Sequence, residues 1–146
     1  MKIRLILFGD TASEPLREWM GTYEKRINHF ISFRIEILKN TNPSDEGTAL
    51  LKRLEEKDFL ILLDEKGKEF TSKEFAVYLE KLMASSGRDI VFCIGGAYGF
   101  SKTVYERSNS TLSLSKMTMP HQLIRLVFIE QLYRAFTIIR NQPYHH

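Results

Sequence analysis

Three short runs of the sequence are apolar at nearly every position, and this pattern limits the folds that the chain can adopt. They are residues 3–8 (IRLILF), 59–63 (FLILL) and 89–94 (DIVFCI). A strand with one face in water alternates apolar and polar residues, whereas runs of this kind are typical of parallel strands that are buried on both faces. The sequence therefore predicts a central sheet that helices cover on both sides.

Segments with helical periodicity or turn composition separate these runs. In chain order they are a helix over residues 13–28, a strand near the sheet edge over 31–38, a polar turn over 40–47, a short helix at 50–54 and a helix over 72–87. Alternation of strands and helices indicates a doubly wound α/β fold with a mostly parallel sheet. With 146 residues, the chain is expected to form a single domain over residues 1–146.

The cysteine content and the first residues point to a cytoplasmic protein. The formal net charge of +3 permits an anionic partner without requiring one. The single cysteine, Cys93, cannot form an internal disulfide, and the first residues lead into a strand rather than a secretory signal. The most apolar helix candidate, over residues 121–140, contains Arg125, Glu130 and Arg134, which are costly inside a bilayer. We expect no membrane span.

A glycine-rich segment, IGGAYGF at residues 94–100, directly follows the third buried run. Glycines at the carboxyl end of a parallel strand let the backbone approach a ligand closely, which favours a binding site there. A glycine turn that merely leads into a helix capped by Ser101 is the alternative. The spacing G-G-x-x-G differs from the dinucleotide fingerprint, and this argues against a nicotinamide enzyme.

The next segment predicts apolar walls for such a site. Leu112 and Leu114 indicate a short strand, and Met117, Met119 and Pro120 follow in a loop. Apolar walls with free backbone groups suit a flat, uncharged ring such as adenine. The sequence SLSK at residues 113–116 formally matches the S-x-x-K motif of penicillin-recognising enzymes, but the companion motifs are absent and we treat the match as chance.

The last helix and the tail suggest partners. Residues 121–140 are apolar around most of the helix circumference, which predicts burial by the domain itself and by a second subunit, although a purely intramolecular core helix is the alternative.

The tail combines Arg140 with Tyr144, His145 and His146, a composition suited to unpaired nucleotides. A frayed end or a tag is also possible. No carboxylate has ligand spacing to these histidines, so we predict no metal site.

Several motifs read together identify a family. They are LDEKG at residues 63–67, IGGAYG at 94–99, LSKMTMPH at 114–121, Arg125, EQLYRA at 130–135 and PYH at 143–145. Together they closely resemble the RlmH family of small SPOUT-class methyltransferases, which act on large-subunit ribosomal RNA. The resemblance covers essentially the whole chain. Residues 40–47 look short for that family and lie far from these motifs in the sequence, so we expect them to affect surface contacts alone.

The resemblance implies a more detailed structure. The family fold is an α/β sheet whose C-terminal part forms a deep trefoil knot, and the family protein is a homodimer in which the partner subunit completes the RNA site. Its methyl donor is S-adenosylmethionine. By position, the implied cofactor contacts are Leu63, Gly95, Leu114, Ser115, Lys116, Met117, Thr118 and Met119.

The resemblance also implies the reaction: methylation of N3 of a pseudouridine in 23S ribosomal RNA of the assembled ribosome. We expect Arg125, Tyr144 and His145 to orient the base, stabilise its anion and help remove the N3 proton. The main rival is a non-catalytic ribosome-binding or assembly factor, which the intact cofactor residues disfavour. A general α/β nucleotide-binding enzyme is a second rival, disfavoured because a phosphate-binding signature is missing.

Overall fold

The computed structural model describes residues 1–146, apart from the side chain of Ser86. The elements in chain order are β1 (Lys2–Phe8), α1 (Glu14–Ile27), β2 (Ser32–Leu38), α2 (Pro43–Lys52), β3 (Phe59–Glu69), α3 (Ser72–Ser86), β4 (Ile90–Ile94), α4 (Lys102–Arg107), β5 (Ser110–Ser113) and α5 (His121–Ile139). The predicted alternation of strands and helices is confirmed.

The five strands form one sheet in the order β2-β1-β4-β3-β5, and every neighbouring pair is parallel. The three apolar runs became β1, β3 and β4, which occupy the interior of the sheet. The alternating segment became β2, which lies at one edge as predicted. The predicted α/β class with a parallel sheet is therefore confirmed.

Side chains of successive residues in β1 enter two different cores, which explains why the strand is apolar from Leu5 to Phe8. Ile3, Leu5 and Leu7 belong to a core with α1, α3 and α5. Ile6 and Phe8 belong to the core on the other face, with α2 and α4. All five side chains are at most 4 % exposed. Helices thus cover both faces of the sheet, and α5 packs against both α1 and α3.

The predicted polar turn over residues 40–47 is wrong in part, because α2 already begins at Pro43. Asn42 caps this helix by accepting a hydrogen bond from the Asp45 amide, and proline is well suited to the first helical position because it has no N–H to satisfy. Polar capping residues and proline can mark a helix start as well as a turn, and here they mark a helix start.

Two other boundaries differ from the prediction. Thr71 rather than Ser72 caps α3, through a capping box in which Thr71 and Glu74 bond each other's backbone N–H groups. Strand β3 continues beyond Leu63 to Glu69, although its pairing with β5 is interrupted, and Leu63 and Lys68 both lie opposite Leu112. The polar residues predicted to stop the strand therefore form an irregularity within it.

Candidate active site

A cavity of about 430 Å³ lies at the carboxyl ends of β3, β4 and β5, a common position for ligand sites in parallel α/β sheets. Its walls come from the bulge of β3, the glycine loop after β4, the loop after β5 and the first turn of α5. This volume is within the roughly 300–1,000 Å³ usual for small-molecule sites.

Most of the predicted cofactor residues line this cavity. They are Leu63, Gly95, Leu114, Ser115, Met117, Thr118 and Met119. The exception is Lys116, whose exposed side chain lies outside the lining with its Nζ 3.7 Å from Glu69 Oε1. The structure thus brings together residues that are more than fifty positions apart in the sequence.

The glycine loop needs glycine at two positions for different reasons. A Cβ on Gly95 would lie 3.2 Å from two atoms of the Phe100 ring, so a side chain there would press on this ring. Gly99 has a φ of +76°, which non-glycine residues rarely adopt. The Gly99 amide donates to the Gly96 carbonyl at 3.1 Å and closes the turn. The loop then ends at Ser101, whose hydroxyl caps α4 as predicted.

The loop after β5 is held by its own serines. Ser113 donates from its hydroxyl to the Ser115 carbonyl at 3.0 Å, and the Ser115 hydroxyl accepts from the Met117 amide at 2.9 Å. The Met117 side chain is 78 % exposed although it lies at the cavity wall. The cavity therefore has an uncovered apolar side chain at its wall, beside a loop whose conformation is fixed by serine hydroxyls.

Asp64 and Tyr105 meet at the cavity wall, and neither was predicted as a site residue, although Asp64 lies within the LDEKG motif. The Tyr105 hydroxyl donates to Asp64 Oδ2 at 2.5 Å, and Asp64 Oδ1 accepts from the Lys66 amide. Burial and this hydrogen bond raise the pKa of Tyr105 to about 12. The contact joins α4 to β3 across 41 residues of sequence, a separation at which no local motif signals it.

Arg125 lies outside the cavity lining, beside the carboxyl end of β1. Its side chain is 2 % exposed. Nη1 donates to the Gly9 carbonyl at 2.9 Å and to Thr11 Oγ1 at 3.0 Å, and Nη2 donates to the Phe8 carbonyl at 2.8 Å. Burial lowers the pKa of Arg125, and the nearby Asp10 carboxylate opposes this effect. In the single chain this guanidinium ties α5 to the end of β1.

The tail folds back along α5 and also lies apart from the cavity. Tyr144 donates from its hydroxyl to Glu130 Oε1 at 3.1 Å, and its ring packs edge-on against Tyr133 at 4.8 Å. His145 Nδ1 lies 3.2 Å from Arg134 Nη1. Burial, with smaller contributions from hydrogen bonds to Tyr23 and Glu130, raises the pKa of Tyr144. The three predicted catalytic residues are therefore not gathered at the cavity within one chain.

The expectation that residues 40–47 affect surface contacts alone is wrong. Glu46 and Gly47 are buried, and both lie against the glycine loop. Residues 40–47 are far from the glycine loop in the sequence but close to it in the fold. Strands β2 and β4 lie parallel on either side of β1, so the segments that follow them leave the sheet at the same edge.

None of the helices in the described chain is long and apolar enough to cross a membrane. Among the same described residues, no group of three or more histidine, cysteine, aspartate or glutamate side chains is arranged to hold a metal ion.

A parallel α/β sheet with a glycine-edged cavity at its strand ends is the arrangement in which α/β proteins usually bind small molecules. Comparison with known proteins makes this class specific. The family model described as "Predicted SPOUT methyltransferase" matches residues 1–145, and the chain belongs to this family.

Individual relatives agree along the whole chain. A protein of Parabacteroides distasonis is 48 % identical over 156 aligned positions, which cover 100 % of this chain and 99 % of the relative. Proteins of Flavobacterium johnsoniae and Christiangramia forsetii are 47 % and 44 % identical over the same extent. Each is named "Ribosomal RNA large subunit methyltransferase H". The resemblance to the RlmH family is thereby confirmed.

Proposed function

We propose that this protein transfers a methyl group from S-adenosylmethionine to large-subunit ribosomal RNA in the cytoplasm, as one SPOUT domain over residues 1–146. The observation that carries the proposal is the coincidence of full-length family membership with a cavity lined by seven of the eight implied cofactor residues. The deep trefoil knot of the family stays a prediction for the C-terminal part.

The cavity residues fit the proposed donor. Leu63, Leu112 and Leu114 provide apolar walls for an adenine ring, and the backbone of the loop after β5 provides hydrogen-bonding groups for its edge. Gly95 lets the Phe100 ring pack against the backbone of the loop, and both residues line the cavity. When bound, S-adenosylmethionine supplies an electrophilic methyl group. The remaining tasks belong to the protein: holding the acceptor base in line and removing its proton.

We propose N3 of a pseudouridine in 23S RNA of the assembled ribosome as the acceptor, and Tyr144, His145 and Arg125 as the residues that serve it. With its raised pKa, Tyr144 is neutral at pH 7 and suited to donating a hydrogen bond rather than accepting a proton. Arginine has only donors, so in the contact with Arg134 the His145 Nδ1 acts as acceptor. A neutral imidazole has a single acceptor nitrogen, so His145 can take up the N3 proton only when the base replaces Arg134 at Nδ1, and we propose it as the proton acceptor in that arrangement.

Because the tail lies along α5, we further propose that it serves the cavity of a second subunit. His121 and Ile124, at the start of α5, line the cavity, whereas the tail binds Glu130 and Arg134. At 1.5 Å per residue, Ile124 and Arg134 are separated by about 15 Å along the helix axis. In a homodimer that places the tail of one copy beside the cavity of the other, this separation within one chain no longer keeps the tail from a cavity.

The reaction is tested by transfer of labelled methyl groups from S-adenosylmethionine to ribosomes that lack the modification. We expect transfer by the wild-type protein, a loss of about 100-fold in rate for His145→Ala, and a wild-type rate for the matched control His146→Ala, since His146 is exposed at the chain end. Donor binding without any transfer would instead favour the non-catalytic assembly factor.

Mixed dimers test the shared site. Gly95→Ala is expected to block the cavity through the Phe100 ring, and His145→Ala disables the tail. If the tail acts on the partner's cavity, the two inactive variants regain activity when they are mixed and allowed to exchange subunits. If it acts on its own cavity, or if the protein is monomeric by sedimentation, mixing restores nothing and the shared site is refuted.

A further inference from the structure

A buried carboxylate lies directly behind the glycine loop. Glu46 is 5 % exposed, and its Oε2 accepts a hydrogen bond from the Thr41 amide at 2.9 Å. A Cβ placed on Gly96 would lie 3.2 Å from Glu46 Oε1 and 3.4 Å from Oε2. The carboxylate therefore occupies the side of the loop toward which a side chain at position 96 would project.

The neighbouring glycine packs against the other end of the same loop. A Cβ on Gly47 would lie 2.7 Å from Ser101 Oγ and 2.9 Å from Val104 Cγ2, so a side chain at position 47 would displace them. Ser101 Oγ accepts from the Val104 amide at 3.4 Å and caps α4. Two consecutive residues of α2 thus lie against the loop, near its beginning at Gly96 and at its end at Ser101.

The burial of a charge at position 46 needs a physical reason. Among the ion pairs of the described residues, Glu46 has no cationic partner. Its charge is instead stabilised by the Thr41 amide and by its place in the first turn of α2, where the helix dipole favours an anion. An apolar residue of similar volume would fill the space but would leave the Thr41 amide without this acceptor.

We propose that Glu46 is a positioning residue of the methyl-donor site. Helix α2 holds the glycine loop in the conformation that lines the cavity. It does so through the fixed Glu46 carboxylate behind Gly96 and through Gly47, which packs against Ser101. The identity of the ligand in this cavity rests on the proposed function, whereas the control of loop conformation by α2 does not.

The test compares Glu46→Ala with Glu46→Gln, and uses Asp45→Asn as the matched control, since Asp45 is an exposed carboxylate one residue away on the same helix. The alanine variant is expected to weaken S-adenosylmethionine binding about tenfold, because the Thr41 amide and the loop both lose their contact. Glutamine keeps the length and a carbonyl oxygen for Thr41, so binding within about twofold of wild type is expected. Asp45→Asn should bind like wild type.

Hydrogen exchange of the free protein separates positioning from general stability. In Glu46→Ala, amides of residues 95–101 should exchange faster while those of α1 and α5 keep their wild-type protection. Equal loss of protection throughout the chain would overturn the proposal, as would wild-type donor binding and exchange in the alanine variant. If the alanine variant does not fold, Glu46→Asp, whose shorter side chain does not reach both contacts, is judged by the same criteria.

A double-mutant cycle tests the contact itself. Gly96→Ala places a methyl group against the Glu46 carboxylate, so it should weaken donor binding strongly in the wild-type background and less in Glu46→Ala. Additive effects would overturn the proposal. If the wild-type protein binds no S-adenosylmethionine at all, the proposed function fails, and the exchange rates of residues 95–101 still decide the role of Glu46.

Discussion

Replacing Arg125 by methionine should destabilise the protein markedly, because one buried guanidinium satisfies three acceptors at the end of β1. Its nitrogens donate to the carbonyls of Phe8 and Gly9 and to the hydroxyl of Thr11, at 2.8 to 3.0 Å. Methionine retains much of the volume but none of the donors. The substitution therefore isolates the hydrogen bonds from the packing of α5.

The magnitude follows from the number of bonds and an opposing term. Hydrogen bonds to a charged group contribute about 1.5–3 kcal/mol each, which gives at least about 4.5 kcal/mol for three. Burial of the guanidinium opposes folding, as the lowered pKa of Arg125 indicates, and methionine does not have this desolvation cost. We therefore expect a net loss of about 3 kcal/mol in the free energy of unfolding, out of a typical 5–15 kcal/mol.

Urea denaturation measures this loss. With an m-value of about 2 kcal/mol/M, the unfolding midpoint of Arg125→Met should fall by about 1.5 M. Arg140→Met, which removes an exposed arginine at the end of the same helix, should change stability by no more than about 0.5 kcal/mol. A loss below about 1 kcal/mol for Arg125→Met would refute the reasoning. Full stability of Arg125→Lys combined with lost methyl transfer would instead show that the guanidinium acts on the base.

Three further substitutions test other contacts. Gly67→Ala should lower the free energy of unfolding by about 2 kcal/mol in thermal unfolding, because its Cβ would lie 2.7 Å from the backbone of β5. Gly21→Ala on α1, where a Cβ meets open space, should be neutral or stabilising. In tyrosinate absorbance titrations, Tyr105→Phe should lack one phenol that ionises near pH 12 in the wild type. Because folding raises the pKa of Tyr105, the wild type should also lose more stability than Tyr105→Phe as the pH rises from about 10 to 12. Asp58→Ala should lower the free energy of unfolding by about 1.5–3 kcal/mol, because it removes one of the two carboxylates that pair with the buried Arg4, which keeps Glu36 as its other ionic partner. Glu55→Ala removes an exposed ion pair and should cost less than about 1 kcal/mol in urea unfolding.

The layers of the fold were predictable because they depend on local patterns. A strand buried on both faces needs apolar residues at successive positions, and β1, β3 and β4 have them. The order of the strands was not predictable in this way. Leu5 lies opposite Ile35 on one side and Phe92 on the other, and no periodicity within residues 2–8 specifies these neighbours.

The cavity was partly predictable for a related reason. Gly95 and residues 114–119 could be selected because glycine and apolar loop residues at the carboxyl end of a parallel strand are typical of a ligand site, and the family resemblance added Leu63. Glu46 could not be found, because it lies in a polar segment that reads as a surface turn, where acidic side chains are normally exposed to solvent. Its position beside Gly96 depends on the strand order, in which β1 lies between β2 and β4.

The tail lies away from the cavity because α5, which binds it, is itself fixed in the fold. The same helix lines the cavity with its first turn, binds the end of β1 through Arg125 and holds the tail through Glu130 and Arg134. Phe128 and Leu132 are fully buried, so the helix cannot slide to bring the tail nearer to the cavity. For the tail to reach its own cavity, Tyr144 would have to give up its hydrogen bonds and its contact with the Tyr133 ring. In the proposed homodimer a second copy of the chain would avoid this loss, because its tail would reach the cavity with these contacts intact.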